Sequence, residues 1–239
     1  MAVDLLAAGT GQLGLQLSTQ QLERFERYME LLVDWSQRVS LTAVKDEEGI
    51  QRRHFLESAA LVRVLRGHGI SLEDSSLIDV GSGAGLPGIP LKIVEPSIRL
   101  TLVEAKQRKS AFLKAAVSEL DLHDVEIITT RAEDAGHDEQ YREAFDFAVA
   151  KALAPLRTLV ELTLPFVRIG GIVIAPKGKE AETEVNAAQT ALETLNGTVR
   201  SIDPIPLAQP QQYVVLIDKE LPTPDGFPRR PGMPAKRPL

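Results

Sequence analysis

The sequence contains no cysteine. That excludes a disulfide, a thiolate metal site and a cysteine nucleophile, and it agrees with a reducing compartment. No apolar run approaches the roughly 20 residues a membrane span requires. Residues 1–14 lack the basic stretch and hydrophobic segment of a signal peptide. A cytoplasmic protein with no membrane partner and no metal is expected. Base is also in short supply: the net charge of −6 argues, at face value, against a polyanionic partner. The deficit is uneven, however. Removing residues 225–239 takes away four bases and Asp225, leaving 23 bases against 32 acids, or −9. An acidic body with a basic tail admits either local contact with a polyanion or a solvated extension. What is present is ordinary for a folded chain. With 239 residues, 44% of them hydrophobic and 25% charged, there is material for one domain with an extension, or two small lobes.

Two segments ahead of residue 74 read as helices. Ser18-Thr19-Gln20-Gln21 has capping-box form. Behind it Leu22, Phe25, Met29, Leu32 and Val33 recur at helical spacing. A second helix is expected from Asp46 to about Arg66, with Phe55, Ala59, Val62 and Leu65 inward, closed by Gly67 and Gly69. Trp35–Val44 is a connector without a derivable role. From Leu77 short strands alternate with helices, which implies parallel βαβ units. Strands are expected near 76–80, 99–104, 125–130, 145–151, 171–176, 199–205 and 212–217. Helices fall near 87–94, 106–120, 155–168 and 179–195. Only proline-rich polar sequence separates the last two strands, so they should pair as a hairpin. The fold class is therefore α/β: a mostly parallel seven-stranded sheet with an antiparallel C-terminal hairpin, the plan of Rossmann-like class I methyltransferases, preceded by N-terminal helices. The expected division is a helical extension over 1–73, a cofactor-binding domain over 74–221 and a basic proline-rich tail over 222–239.

The strongest local signal is the run from Leu77 through Asp79, Gly81, Gly83, Gly85, Leu86 and Pro87 to Gly88. A buried strand enters a turn where the backbone needs positive φ or close approach to a ligand, at the carboxyl ends of the strands where open α/β sheets bind ligands. Gly83 to Gly88 also spells the dinucleotide fingerprint, with Glu104 placed to take ribose hydroxyls in either case. Three features favour S-adenosylmethionine over a dinucleotide. Asp79 ahead of the glycines would repel a pyrophosphate but suits a sulfonium and ammonium. Pro87 removes a donor that a pyrophosphate would use. No second domain is evident to hold a hydride substrate. Further on, Ala132 and Glu133 follow the third strand, where an acid or amide meets the adenine amino group in this architecture. Lys151 ends the fourth strand and faces the site if the register holds.

Absences then narrow the acceptor. Methylation of a pyrimidine carbon through a thiolate adduct needs a cysteine. Exocyclic-amine methylation usually carries an Asn/Asp-Pro-Pro-aromatic turn, where this chain has Lys151-Ala152-Leu153-Ala154-Pro155. Ribose methylation typically places aspartate where Lys151 stands, which weakens that class. Guanine N7 has a free lone pair at neutral pH, so no general base is expected. Positioning and differential electrostatics would carry the rate, with Lys151 the one candidate catalytic group.

With these residues laid out, the sequence resembles the RsmG (GidB) family of 16S ribosomal RNA guanine-N7 methyltransferases. The resemblance runs through Trp35 and Leu41-Thr42-Ala43, His54-Phe55-Leu56-Glu57-Ser58, the whole Asp79–Leu91 run and Leu102-Val103-Glu104 with Lys106, Arg108, Lys109 and Phe112-Leu113. It continues through Arg131-Ala132-Glu133, Ala150–Leu156, Pro176-Lys177-Gly178 and Phe227–Gly232. It implies S-adenosylmethionine as cofactor and 16S RNA or the 30S subunit as partner, with methyl transfer to a guanine of the decoding-region loop. Cofactor contacts would fall on Gly81, Leu86, Ala132, Glu133 and Lys151, and RNA-facing bases on Lys177, Arg229, Arg230 and Lys236. The family commonly has arginine at position 151; lysine keeps the charge and loses the planar fork. His54 is more commonly a backbone-bonded structural residue than a catalytic one, and Trp35 more commonly core than a stacking platform. A monomer is expected.

Overall fold

The computed structural model describes residues 3–239. Helix α1 (Asp4–Gln12) precedes α2 (Thr19–Ser36), whose start is the expected capping box. Ser18 Oγ accepts from Gln21 N at 3.2 Å and Gln21 Oε1 accepts from Ser18 N at 2.8 Å. The buried stripe of α2 is Leu22, Phe25, Tyr28, Met29, Leu31 and Leu32. Val33, one position past the last of these, turns outward and is 36% exposed. The expected Asp46–Arg66 helix is present in three parts: α3 (Glu47–Ile50), one π-helical turn over Gln51–Leu56, and α4 (Glu57–Gly67). The π turn inserts a residue into the helical ladder, and such turns gather at functional sites. Phe55, Ala59, Val62 and Leu65 are all buried, as their spacing required.

The rest alternates strand and helix: β1 (Ser76–Val80), α5 (Gly88–Val94), β2 (Arg99–Val103), α6 (Gln107–Glu119), β3 (Val125–Ile128), α7 (Ala132–Ala135), β4 (Phe145–Val149) and α8 (Leu156–Thr163). There follow β5 (Val167–Lys177), α9 (Ala181–Ala187), α10 (Gln189–Thr194), β6 (Gly197–Pro204), β7 (Tyr213–Lys219) and α11 (Met233–Lys236). The seven strands lie in the order β3-β2-β1-β4-β5-β7-β6, with only β7 antiparallel to its neighbours. This is the expected Rossmann-like plan with its hairpin.

Three boundaries differ from expectation: β5 begins at Val167, four residues before position 171, and two helices differ for local reasons. The helix expected over 155–168 stops at Thr163, because Leu164–Phe166 tightens into a 3-10 turn containing Pro165, which has no N–H to continue the ladder. The helix expected over 179–195 breaks at Ala188 into two.

Alternate residues of each strand serve opposite faces. Leu77, Leu100, Leu102 and Val149 join α1–α6 in one buried cluster, while Ile78, Val80, Ala148 and Val173 join α7–α10 in the other. Covering both faces explains why these strands read as unbroken apolar runs. The sheet order reverses between β1 and β4, and open α/β sheets bind ligands at such a switch point, beyond the strands' carboxyl ends.

Candidate active site

Four strands deliver the site. β1 ends at Val80 in the glycine loop, β2 at Val103 beside Glu104, β3 at Ile128 ahead of α7, and β4 at Val149 just before Lys151. The loop is lashed to the end of β2: Gly81 N and Ser82 N both donate to Val103 O, at 2.9 and 3.0 Å. Gly81, Gly83 and Gly85 all have positive φ. A Cβ on Gly81 would lie 2.5 Å from Leu153 Cδ1, whereas on Gly83 it would meet nothing closer than 3.7 Å. The backbone at Gly83 therefore faces open space, a cavity of about 300 Å³. Its lining includes Gly81 to Ala84, Leu86, Lys109 and Lys151, closed by Leu41 to Ala43 and His54 from the N-terminal segment.

Asp79 lies beneath this loop, 1% exposed, with Oδ2 accepting from Gly88 N at 2.9 Å and Oδ1 without a partner among the described residues. Burial pushes its carboxyl up to about 7; the Gly88 N–H pulls it down and nearby Glu104 adds to the rise. This geometry separates the two cofactors that the glycine pattern admits. A pyrophosphate would need the first amides of α5. Pro87 has none, and that of Gly88 is already held by a carboxylate. Glu104, 7% exposed, accepts from Gly83 N at 3.0 Å and Lys106 N at 2.8 Å, bringing a carboxylate against the loop. A half-buried glycine backbone beside a carboxylate fits a ribose-bearing cofactor with a cationic head.

Lys151 reaches back across the sheet edge, its Nζ donating to Arg53 O at 2.8 Å and Glu57 Oε2 at 2.9 Å. The Arg53 carbonyl comes from the π turn. His54 is fully engaged. The Arg53 carbonyl can only accept, so His54 Nδ1 donates to it at 3.0 Å; Nε2 of the neutral ring then accepts from Thr42 Oγ1 at 2.7 Å, and that hydroxyl oxygen in turn accepts from Val44 N at 3.1 Å. Burial, then the Lys151 charge, lowers the imidazole to about 4, so the ring is neutral with both nitrogens spent.

Ala132 and Glu133 open α7, and Glu133 is 7% exposed. One of its oxygens is taken by the tail, with Gly232 N donating to Oε1 at 2.8 Å. Two bases expected to face RNA turn inward instead. Lys177 is 8% exposed, donating to Ala154 O at 2.7 Å and Glu184 Oε2 at 2.8 Å. It ends β5 on its buried side, where an unpaired ammonium would be costly. Arg229 forms a two-pronged pair with Glu161, at 2.8 Å from Nε and 2.6 Å from its terminal nitrogen; Glu161 is 0% exposed. The pair ties the tail to α8. Arg230 and Lys236 remain exposed.

Sequence reading assigned no role to Thr42, Lys109 or Tyr28. Thr42 lies in a stretch without periodicity, Lys109 among other surface bases on α6, and Tyr28 beside the apolar stripe read on α2 but not among its residues. The Tyr28 hydroxyl donates to Ala84 O, so α2 supports the glycine loop directly. Trp35 packs edge-on against Phe112, its ring centroid 5.6 Å away. Among the described residues, no cluster of acids and histidines is arranged to hold a metal, and no helix is long and apolar enough to cross a membrane.

The protein MtNAS in complex with S-adenosylmethionine superposes with a TM-score of 0.56 at 17% identity, covering 92% of this chain and 78% of that one. At such identity the likeness speaks for the fold alone. The chain is 46% identical to the ribosomal RNA small subunit methyltransferase G of Roseiflexus sp. (strain RS-1), covering 99% of this chain and 100% of the relative. It is 45% identical to the protein of that name from Moorella thermoacetica, covering 98% and 97%. The family model described as rRNA small subunit methyltransferase G matches residues 21–219, and the chain belongs to that family.

Proposed function

We propose that this protein methylates N7 of a guanine in the 16S ribosomal RNA of the small subunit, working as a monomer in the cytoplasm. Family membership makes it a small-subunit rRNA methyltransferase with S-adenosylmethionine as cofactor. When bound, that cofactor supplies a methyl group on a sulfonium, whose carbon–sulfur electron pair stays with sulfur. The chain's own residues account for the rest. The backbone of Gly81, Gly83 and Gly85 with Leu86 shapes the cradle, Glu104 takes ribose hydroxyls, and Ala132 and Glu133 flank the adenine. Asp79 and Tyr28 hold the loop from below, and Lys151 stands at the border with the acceptor.

One observation carries the choice of acceptor. The only imidazole lining the cofactor cavity, His54, has both nitrogens committed, and the chain has no cysteine. An acceptor that must lose a proton before attack has no free histidine there to receive it, and one needing a covalent thiolate adduct has no thiol. Guanine N7 needs neither, since its lone pair is free at neutral pH. Catalysis then rests on alignment at near-attack distance. Arg230 and Lys236, exposed on the tail, supply phosphate contacts.

Methyl-acceptor assays on naked 16S RNA and on 30S particles from a strain lacking this enzyme test the proposal. Methyl incorporation is expected into the deletion strain's material and not into wild-type particles, and acceptance by neither deletion-strain substrate would overturn it. Comparing the two substrates also identifies which form is used.

A further inference from the structure

A second cavity, about 210 Å³, adjoins the first and shares Lys151 and Ala152 with it. It lies below the roughly 300–1,000 Å³ of typical small-molecule sites, a size suited to a single base and not a whole nucleotide. Its apolar walls are Leu61, Pro87, Pro176 and Ile205. Of its charged lining, Lys177 and Glu184 are paired to each other. Glu57 and Lys151 are not used up. Glu57 is 7% exposed, yet only Oε2 carries a hydrogen bond; Oε1 has no partner among the described residues. Lys151 Nζ spends two of its three protons, on Arg53 O and Glu57 Oε2.

We infer that this second cavity is the acceptor-base pocket, with Glu57 reading the N1–H and N2–H donors of the guanine and Lys151 donating to its O6. The assignment rests on the guanine-N7 reading above. The Watson–Crick edge of guanine presents O6, N1–H and the N2 amine in that order. A carboxylate beside an ammonium is its complement. Adenine offers an amine where the ammonium stands and a lone pair where the carboxylate stands, so the same two groups reject it. The orientation is also consistent. N7 lies on the O6 side of the base, and Lys151, the group meeting O6, is the one that lines both cavities. N7 is thereby turned toward the glycine loop. Methylation at N7 leaves the purine positively charged, and a carboxylate on its N1–H side stabilises that charge as it develops.

The test uses the full-length protein and deletion-strain 16S RNA, reconstituted with guanosine or inosine at the nucleotide that mass spectrometry identifies as methylated. Inosine keeps N7, O6 and N1–H but lacks the N2 amine. With wild-type protein, inosine should lower kcat/KM roughly tenfold or more, the scale of one hydrogen bond to a charged group. Glu57→Gln should cause a similar loss on guanosine and respond much less to inosine, while its affinity for S-adenosylhomocysteine by calorimetry stays that of wild type. Equal rates of wild-type protein on both RNAs would overturn the pocket without needing any variant. So would an undiminished inosine effect in Glu57→Gln, or a loss of S-adenosylhomocysteine affinity matching the loss of rate, which would place Glu57 on the cofactor side. No transfer by wild-type protein to the guanosine RNA would instead defeat the guanine-N7 reading itself.

Discussion

Two carboxylates on helices that cover opposite faces of the sheet, Glu57 on α4 and Glu161 on α8, are nearly or fully buried and paired with a base, and they are left in different states. Glu161 receives Arg229 Nε and Arg229 N on one oxygen and the terminal guanidinium nitrogen on the other. Nothing remains for a ligand, and the pair fastens the tail. Glu57 gives Lys151 one oxygen and keeps the other. Neither burial nor charge separates a structural pair from a binding pair here. Unspent hydrogen-bonding capacity at a cavity wall does.

The largest expected effect breaks the closed pair. Arg229→Ala leaves Glu161 charged with no solvent access and should cost about 3 kcal/mol or more of unfolding free energy. Lys151→Ala, whose partner opens onto a cavity, should cost clearly less. Urea denaturation of the two variants measures the contrast, and equal losses would erase it. The same reasoning makes deletion of the tail a poor probe of RNA binding, since it removes a buried salt bridge along with the exposed bases.

Next comes the buried carboxylate under the loop. Asp79 titrates near 3.8 when unfolded and near 7 when folded. Between those values the folded state holds a proton that the unfolded state has released, so this group makes stability fall as pH rises from about 4 to 7. His54, lowered from 6.5 to about 4, acts oppositely across that interval. The Asp79 contribution is therefore read as the difference between wild type and Asp79→Asn. Relative to the variant, wild type should lose on the order of 3 kcal/mol from pH 4 to 7. A flat difference would mean that the carboxyl ionises in the folded protein as it does in water.

Gly83→Val should weaken S-adenosylhomocysteine binding by about tenfold or more, since its side chain would project into the cavity and its ~1–2 kcal/mol preference against left-handed backbone would draw the loop out of the shape that lines it. Calorimetry at unchanged affinity would put the cofactor elsewhere. The smallest effects belong to the tail's exposed bases. Arg230→Ala and Lys236→Ala should each reduce the slope of log affinity for RNA against log salt by roughly 0.7–0.9 while leaving stability alone. Lys177→Ala should do the reverse, lowering stability and sparing the slope.

Much of this was legible in the sequence because the relevant signals are local. Strand positions, the capping box at Ser18 and the glycine turn each follow from a few neighbouring residues. So does the hairpin, through the absence of a helix between its strands. One failure is long-range and the others are local. Arg229 looked like a free base because its partner, Glu161, is 68 residues away on α8. Lys177 was assigned to the RNA by resemblance alone, and nothing local showed that the end of β5 would turn it onto the half-buried Glu184 seven residues on. The wall made by Leu41 to Ala43 has no periodicity to betray it, and Val33 fits the apolar pattern of α2 yet falls just off its buried face. Helix α1 carries no side-chain cap at its start, so nothing marked it ahead of the structure.

The central claim is transfer of a methyl group to guanine N7 in 16S RNA. The most direct measurement is nucleoside mass spectrometry of deletion-strain 16S RNA treated with the purified protein and isotopically labelled S-adenosylmethionine. Labelled 7-methylguanosine, absent before treatment, is the predicted product. Label in any other nucleoside, or in none, would contradict it.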